Sequence, residues 1–385
     1  MNSISKKVVP WIKNLDPYNG GKPIEELAKT LNLPEEKIVK LASNENPLGI
    51  SPKVQSKINN EITKINRYPD SNSTSLKKAI SDLHGVNANQ VFLGNGSNDV
   101  LESLAKTFLR QGTSAVYSKY SFAVYGLATI SSGANSIVVP PTKNLGHDLT
   151  AFLSLISNDT RLIFIANPNN PTGSFISKND IESFLSLVDK SILVVLDEAY
   201  FEYLDGMDKL NTTDLLDHYP NLFITRSFSK AYGLAGLRVG YGLGNEEVIS
   251  FMNSIRQPFN VNSLAQMAAI YALQDQDYVE KSRLHNQQIM VELVNGLSSL
   301  GVDCLSSKGN FVLANFGKYA NHTNQSIGLE IFESLLSLGV ITRPVLNYDL
   351  PNHLRISVGT EEENKCFLKV LPQALDLTKA NTKYV

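Results

Sequence analysis

The chain has 385 residues, 42% of them hydrophobic, and a formal charge of -2, which is typical of a globular protein with one large and one smaller unit. Because 35 Lys and Arg nearly balance 37 Asp and Glu, the composition argues against nucleic acid or an anionic membrane as a partner. No segment has the length and apolarity of a signal peptide or a membrane span. We therefore expect a cytoplasmic protein with its two cysteines reduced and without a metal site.

The first 70 residues predict two helices and several polar turns. The helices are expected at Ile24–Leu31 and Pro52–Ile65, and the polar loop Lys40–Pro52 lies between them. Tyr18 lies in a turn rich in Gly and Pro, where a tyrosine usually serves packing. Tyr68 follows the second helix in the turn RYPD, either as an exposed ring or as a phenol directed at a phosphate.

From about residue 75, short β-rich runs alternate with helical stretches. This alternation predicts an α/β fold with a mostly parallel seven-stranded sheet and helices on both faces. Ligands of such sheets bind at the carboxyl ends of the strands. The predicted strands are Val91–Leu93, Ala115–Tyr117, Ile137–Val139, Leu162–Ala166, Ile192–Leu196, Leu222–Thr225 and Val239–Leu243.

Polar residues follow the first two of these strands. Gly96, Ser97 and Asn98 precede a helix predicted at Asp99–Leu109, and glycines before a helix N-terminus are typical of an anion site. The pattern is neither a Walker loop nor GxGxxG, which argues against a nucleotide. Tyr120 follows the second strand, as a ring that stacks on a cofactor or as a core tyrosine.

The later strands supply the remaining groups that pyridoxal phosphate (PLP) requires. Asn170 lies in the stiff turn NPNNPTG and can bond a ring hydroxyl, and Asp197 ends a buried strand where a pyridinium nitrogen would pair with it. Lys230 follows the next strand and can bond the cofactor aldehyde. Ser227, Ser229 and Arg238 surround this lysine as phosphate donors, although a glycine-rich surface loop with a solvated lysine is the alternative for this stretch alone.

The last part of the chain predicts a long helix and a smaller α+β unit. The helix Gln276–Leu300 is long enough to link two domains, which we expect at residues 51–280 and 281–385. Residues 1–50 form an N-terminal arm and part of the small domain. Arg343 and Arg355 lie beside strands in apolar surroundings, as anion ligands or as surface arginines paired with a glutamate.

Several motifs resemble one family. NPNNPTG, DEAY and SFSKAYGLAGLRVGYG resemble the fold type I PLP-dependent aminotransferases of class II. KLASNENPLG, NRYPD and LRISVGT narrow the resemblance to the histidinol-phosphate aminotransferase group, over about residues 18–359. Two departures are Ser71 and Ser73 where glycines are usual, and Asn98 where an acidic residue is common.

The resemblance implies a role for each candidate residue. Lys230 bonds the cofactor and moves the substrate proton, Asp197 holds the pyridinium, and Asn170 and Tyr200 donate to the ring oxygen. Tyr120 stacks on the ring, and the phosphate cup is Gly96, Ser97, Asn98, Ser227, Ser229 and Arg238. Tyr68 reaches the same phosphate from the partner subunit of a homodimer with shared active sites. Arg355 binds the α-carboxylate of the acceptor, and Arg343 and Tyr18 line the pocket of the phosphate of histidinol phosphate.

The activity implied is transamination of L-histidinol phosphate with 2-oxoglutarate, giving imidazole-acetol phosphate and L-glutamate in histidine biosynthesis. An aromatic amino acid aminotransferase is the nearest alternative, since the pocket accepts a flat ring in either case. A PLP decarboxylase related to cobalamin synthesis shares some motifs. A PLP-binding regulator is less expected, because the sequence shows no DNA-binding segment beside the core.

Overall fold

The computed structural model describes residues 3–13, 15, 17, 20–320 and 326–381. The strands in this part of the chain are β1 (Val39–Lys40), β2 (Val91–Gly94), β3 (Ser114–Ser118), β4 (Asn135–Val139), β5 (Thr160–Ala166), β6 (Leu193–Asp197), β7 (Leu222–Ser227), β8 (Gly240–Leu243), β9 (Asp303–Cys304), β10 (Phe311–Asn315), β11 (Val340–Ile341), β12 (Arg343–Pro344) and β13 (His353–Ser357). The α-helices are α1 (Ile24–Leu31), α2 (Pro52–Glu61), α3 (Thr74–His84), α4 (Ser97–Phe108), α5 (Val124–Ser131), α6 (Leu149–Leu155), α7 (Lys178–Leu187), α8 (Glu246–Ile255), α9 (Ser263–Leu273), α10 (Gln276–Ser299), α11 (Ile327–Ser337) and α12 (Glu361–Asn381).

A seven-stranded sheet forms the centre of the larger unit, in the order β2-β8-β7-β6-β5-β3-β4. Neighbours from β7 to β4 pair in parallel, whereas β8 is antiparallel to both β2 and β7. All seven strand predictions are confirmed, with ends that differ by a few residues. The predicted mostly parallel α/β sheet is therefore confirmed.

Apolar side chains cover both faces of the central strands of this sheet, which are buried along nearly all of their length, whereas the edge strand β4 is partly exposed. Along β6, Val194 and Leu196 pack into one core cluster, while Val195 packs into a second cluster with Phe223 of β7. Because neighbouring residues of a strand point to opposite faces, β5, β6 and β7 contribute to both cores. The carboxyl ends of β5, β6 and β7 are left to carry polar residues.

The smaller unit combines both ends of the chain. A four-stranded antiparallel sheet has the order β12-β13-β10-β9, and β1 pairs in parallel with β11. Helix α10 places Val279 in the core of the larger unit and Leu293 and Leu297 in that of the smaller one, as expected for a helix linking the two. The domain limits at residues 50 and 280 remain a prediction.

The structure corrects several element boundaries. The helix expected at Pro52–Ile65 ends at Glu61 and continues as a 3-10 turn over Ile62–Lys64. Arg343 lies within a short strand of its own, β12, rather than beyond one, and helix α12 was not predicted. None of the helices described in the chain combines the length and apolarity needed to span a membrane.

Candidate active site

A cavity of about 260 Å³ opens at the carboxyl ends of β5, β6 and β7, and the smaller unit forms its other wall. Most of the residues predicted from the sequence line it, although they come from segments far apart in the chain. They are Ser97, Asn98, Asn170, Asp197, Tyr200, Ser227, Ser229, Lys230, Arg238, Arg343 and Arg355.

Lys230 lies just beyond β7 with its amine in this cavity. Its Nζ donates to the carbonyl oxygen of Ser43 at 3.1 Å and lies 5.7 Å from the centre of the Tyr200 ring. Burial, and then the positive charges of Arg355 and Arg238, lower the pKa of this amine to about 7. A large fraction of the amine is therefore neutral near pH 7, as a nucleophilic amine must be.

Asp197 ends β6 with a carboxylate that is only 4% exposed. Oδ1 accepts a hydrogen bond from Thr225 Oγ1 and Oδ2 accepts one from Tyr125, both at 2.7 Å. Burial raises the pKa of Asp197, whereas these two hydrogen bonds lower it. Both donors are neutral, so a cationic group in the cavity would provide the missing charge partner. Sequence reasoning missed Thr225 and Tyr125, although Thr225 lies opposite Asp197 in the register of β6 and β7.

An anion cup forms where α4 begins. Ser97 lies in the first turn of α4, after Gly96, whose φ is +82°. A Cβ on Gly96 would lie 2.3 Å from Arg238 Nη2, so this guanidinium approaches because the residue is glycine. Arg238 Nη1 donates to Ser229 Oγ at 3.3 Å. Backbone N–H groups, hydroxyls and a guanidinium converge here, as a phosphate dianion requires.

Two further residues connect this wall with the smaller unit. Arg355 Nη1 donates to Asn170 Oδ1 at 2.7 Å, and because arginine only donates, the amide nitrogen of Asn170 is left as the donor. The hydroxyl of Tyr200 accepts from Asn44 Nδ2 at 2.9 Å. Burial raises the pKa of Tyr200 to about 12, so this phenol stays protonated at neutral pH. The polar loop containing Asn44 is therefore a wall of the site rather than a linker.

Arg343 and Arg355 lie directly opposite each other on β12 and β13. Opposite residues of an antiparallel pair project to the same face of the sheet, and both side chains line the cavity. Like charges directly opposite each other repel, so an anion between them would be favourable. Both arginines line the same cavity as Asp197.

The aromatic ring in the cavity wall is Phe122, two residues beyond the predicted Tyr120. The ring of Tyr120 packs beside Val345 and Leu350, with Lys119 Nζ 5.5 Å from its centre. The carbonyl of Tyr120 accepts from Asn169 Nδ2 at 2.6 Å. Nothing in the local sequence separates these two aromatic residues.

Three other predicted residues lie outside the cavity wall or outside the described chain. Gly96 supports the cup from behind, as its close approach to Arg238 shows. Tyr68 is 83% exposed and stacks on Phe259 with ring centres 4.6 Å apart. Tyr18 lies outside the described residues.

A second cavity of about 740 Å³ adjoins the first. The two share Gly21, Phe122, Arg343 and Tyr348 in their walls. The farther wall of the second cavity is largely apolar and includes Leu127, Ile130, Leu329 and Phe332. Sequence reasoning missed Tyr348, which lies between the two cavities.

The donor set of the first cavity matches the groups of PLP. The anion cup suits a phosphate, buried Asp197 meets no cationic partner among the residues that the structure describes, and Lys230 has an amine of lowered pKa. Phe122 supplies a flat face, and Asn170 and Tyr200 supply neutral donors for an oxygen. The residues present therefore fit this cofactor.

Comparison with known proteins identifies the family. A family model described as aminotransferase class I and II matches residues 36–371. Histidinol-phosphate aminotransferase 2 of Pseudomonas fluorescens is 50% identical over 366 residues, covering 95% of this chain and 96% of that protein. The enzyme of the same name from Nitrosospira multiformis is 47% identical over 369 residues, covering 96% and 92%.

Solved structures agree with this result. The crystal structure of histidinol-phosphate aminotransferase from Sinorhizobium meliloti in complex with pyridoxal-5'-phosphate matches with a TM-score of 0.86 at 26% identity, over 96% of this chain and 98% of that one. Thermus thermophilus aspartate aminotransferase shares the fold at a TM-score of 0.79 and 22% identity, over 96% and 98%. The predicted fold type I architecture is therefore confirmed. The chain belongs to the class I and II aminotransferases, within the histidinol-phosphate aminotransferase group.

Proposed function

We propose that the chain is a PLP-dependent aminotransferase that moves the amino group of L-histidinol phosphate to 2-oxoglutarate, giving imidazole-acetol phosphate and L-glutamate. The observation that carries the proposal is that four residues line one cavity. They are Lys230, whose pKa is about 7, buried Asp197, and Arg343 and Arg355 on paired strands. The names of the relatives, at up to 50% identity over nearly the whole chain, support the same substrate.

PLP supplies an aldehyde that bonds an amine and a ring that withdraws electrons. On the protein side, the amine of Lys230 would hold the cofactor and accept the proton of the substrate carbon at Nζ. Asp197, held by Thr225 and Tyr125, would keep the ring nitrogen protonated. Asn170 and Tyr200 would donate to the ring oxygen.

The binding residues complete the assignment. Phe122 replaces Tyr120 as the ring that stacks on the cofactor, since it is the one in the cavity wall. Gly96, Ser97, Asn98, Ser227, Ser229 and Arg238 form the phosphate cup, Gly96 by admitting the guanidinium of Arg238. Arg355 binds a substrate carboxylate. Arg343 binds the substrate phosphate, and Tyr18 is proposed beside it. The second cavity takes the rest of the substrate side chain.

Substrate choice is tested by measuring kcat/KM for histidinol phosphate, phenylalanine and tyrosine with 2-oxoglutarate, using one enzyme preparation. A phosphate that engages the arginines through charge-assisted bonds should favour histidinol phosphate by about ten- to a hundredfold. The largely apolar wall of the second cavity favours an aromatic amino acid as the second candidate substrate. A preference for phenylalanine would assign the chain to aromatic amino acid aminotransferases.

We also propose a homodimer in which Tyr68 reaches the phosphate cup of the partner subunit. The stack of Tyr68 on Phe259 supports this arrangement. Tyr68 is 83% exposed, and an exposed aromatic pair is a suitable contact surface for a second chain. Each active site would then combine Lys230 of one subunit with Tyr68 of the other.

Subunit mixing tests the shared site. Lys230→Ala and Tyr68→Phe proteins are assayed separately and after dissociation and reassociation in equal amounts. Hybrid dimers carry one site with both native residues, so the mixture should gain activity above the sum of its parts, up to about a quarter of the wild-type level. Borohydride reduction of each protein with PLP shows whether Lys230 is the trapped lysine. Full wild-type activity in a monomer would contradict the proposal.

A further inference from the structure

A buried ion pair lies behind Asp197, on the cofactor side of the cavity, which is the side that carries Asp197 and Lys230. Glu198 and Arg226 are 2% and 3% exposed, and Glu198 Oε2 accepts from Arg226 Nε at 3.0 Å and lies 2.8 Å from Nη2. Glu198 Oε1 accepts from Thr212 Oγ1 at 2.7 Å. The guanidinium carbon lies 3.6 Å from the centre of the Phe201 ring. Both oxygens of Glu198 are therefore held, one by Arg226 and the other by Thr212, from two other segments.

The pair lies where the β6–β7 ladder ends. Asp197 and Thr225 are the last residues in register, and Glu198 N then donates to the carbonyl of Thr225 at 2.8 Å. Glu198 and Arg226 follow Asp197 and Thr225 directly, so their side chains project to the opposite face of the sheet. Beyond the ladder, their ion pair joins the two strand ends.

Stability is a weak reason for such a pair. Removing two charges from water costs about as much as their attraction returns, and apolar pairs of similar volume are often equally or more stable. A buried, directional pair does restrict the geometry of the segments that carry it. The segments here carry the carboxylate of Asp197 and the hydroxyl and amine of Ser227 and Lys230.

We propose that Glu198, Arg226 and Thr212 are positioning residues of the reaction. Their hydrogen-bonded group fixes the spacing between Asp197 at the end of β6 and the residues after β7 that hold the phosphate and aldehyde ends of PLP. The inference rests on the proposed function, because it assumes that this cavity binds PLP. None of the three side chains is among the residues that line the cavity.

The test replaces the whole group with apolar side chains of similar size, as Glu198→Leu, Arg226→Met and Thr212→Val in one protein. Both charges of the pair are removed together, and without Arg226, which lowers the pKa of buried Glu202, that carboxyl is expected to be neutral. This protein is therefore expected to fold with a melting temperature near that of the wild type. We expect the dissociation constant for PLP, measured by equilibrium dialysis, to rise about tenfold, and kcat to fall about 10- to 100-fold, since misplacement by about 1 Å has effects of that size. KM for the amino donor should change little.

Glu202→Gln is the matched control. Glu202 is buried beside the pair, and burial raises its pKa to about 7, yet its Oε2 meets no hydrogen-bond partner among the described residues. This variant should leave the dissociation constant for PLP and kcat unchanged. An equal loss in both proteins would show that any change in this core disturbs the site, which would overturn the assignment.

Wild-type PLP affinity and kcat in a folded triple variant would likewise refute the positioning role. If the triple variant fails to fold, Arg226→Lys replaces it, because lysine keeps the charge but loses the second donor. A folded Arg226→Lys protein is expected to bind PLP more weakly, and unchanged binding and kcat would overturn the proposal. Failure of the proposed function is distinct, since the wild-type protein would then not bind PLP.

Discussion

The two sides of the cavity differ in the charges that line them and in the sheets that supply their residues. On the cofactor side, Asp197 has both oxygens hydrogen-bonded, and neighbouring strands of one sheet supply the residues. On the substrate side, Arg343 and Arg355 place two like charges opposite each other on short strands of another sheet. The cofactor side therefore suits one partner, the proposed cofactor, which is the same for every substrate. The substrate side places two guanidinium groups in the cavity wall where the phosphate of the proposed substrate would bind, which is where specificity for a phosphate can arise.

The largest effect is expected on the cofactor side, from Asp197→Asn. The neutral amide keeps the shape of the site but loses the charge that holds the ring nitrogen protonated. We expect kcat to fall by about 100- to 1,000-fold, equally for histidinol phosphate and phenylalanine, as for other lost electrostatic contacts. Steady-state kinetics with both substrates provide the measurement. A loss confined to one substrate would contradict the division between the two sides.

Arg343→Ala should give a smaller and selective effect. Without this guanidinium, kcat/KM for histidinol phosphate is expected to fall by about ten- to a hundredfold, while that for phenylalanine changes little. Arg343→Lys should recover part of the lost kcat/KM, because lysine keeps the positive charge but lacks the two parallel donors of the guanidinium group. The exposed Arg110→Ala serves as a control for loss of a surface arginine. Equal losses for both substrates would indicate that Arg343 is structural.

A third prediction concerns the pH dependence of stability in cofactor-free protein. The pKa of Lys230 is about 7 in the folded chain and 10.5 ordinarily, so between these values the unfolded chain binds more protons. The free energy of unfolding therefore rises with pH in this window. Relative to Lys230→Met, the wild type should be least stable at pH 7 and below, and the gap should close towards pH 10.5.

Melting temperatures of both proteins across this range provide the measurement. The exposed Lys143→Met is the control, and we expect it to track the wild type at every pH. A gap between wild type and Lys230→Met that stays constant with pH would show that the amine of Lys230 is not perturbed by its site.

Much of the cofactor side followed from the sequence. Apolar runs set the seven strands, and in a parallel sheet the residues after each strand must gather at one edge. That rule alone predicted that Ser97, Asn170, Asp197 and Lys230 lie close together, without knowledge of any contact between them. The conclusion depends on local signals, namely strand periodicity and the polar residue that ends each run.

The remaining features depend on contacts between distant segments. Phe122 lines the cavity, whereas Tyr120 packs beside Val345 and Leu350, more than 200 residues away in the chain. Arg355 reaches Asn170 across 185 residues. The sequence by itself determined which polar residue follows each strand of one sheet. Only the tertiary structure decided which ring faces the cavity, that two arginines oppose each other and that a buried ion pair lies behind Asp197, because side-chain direction depends on register and packing partners that no local pattern encodes.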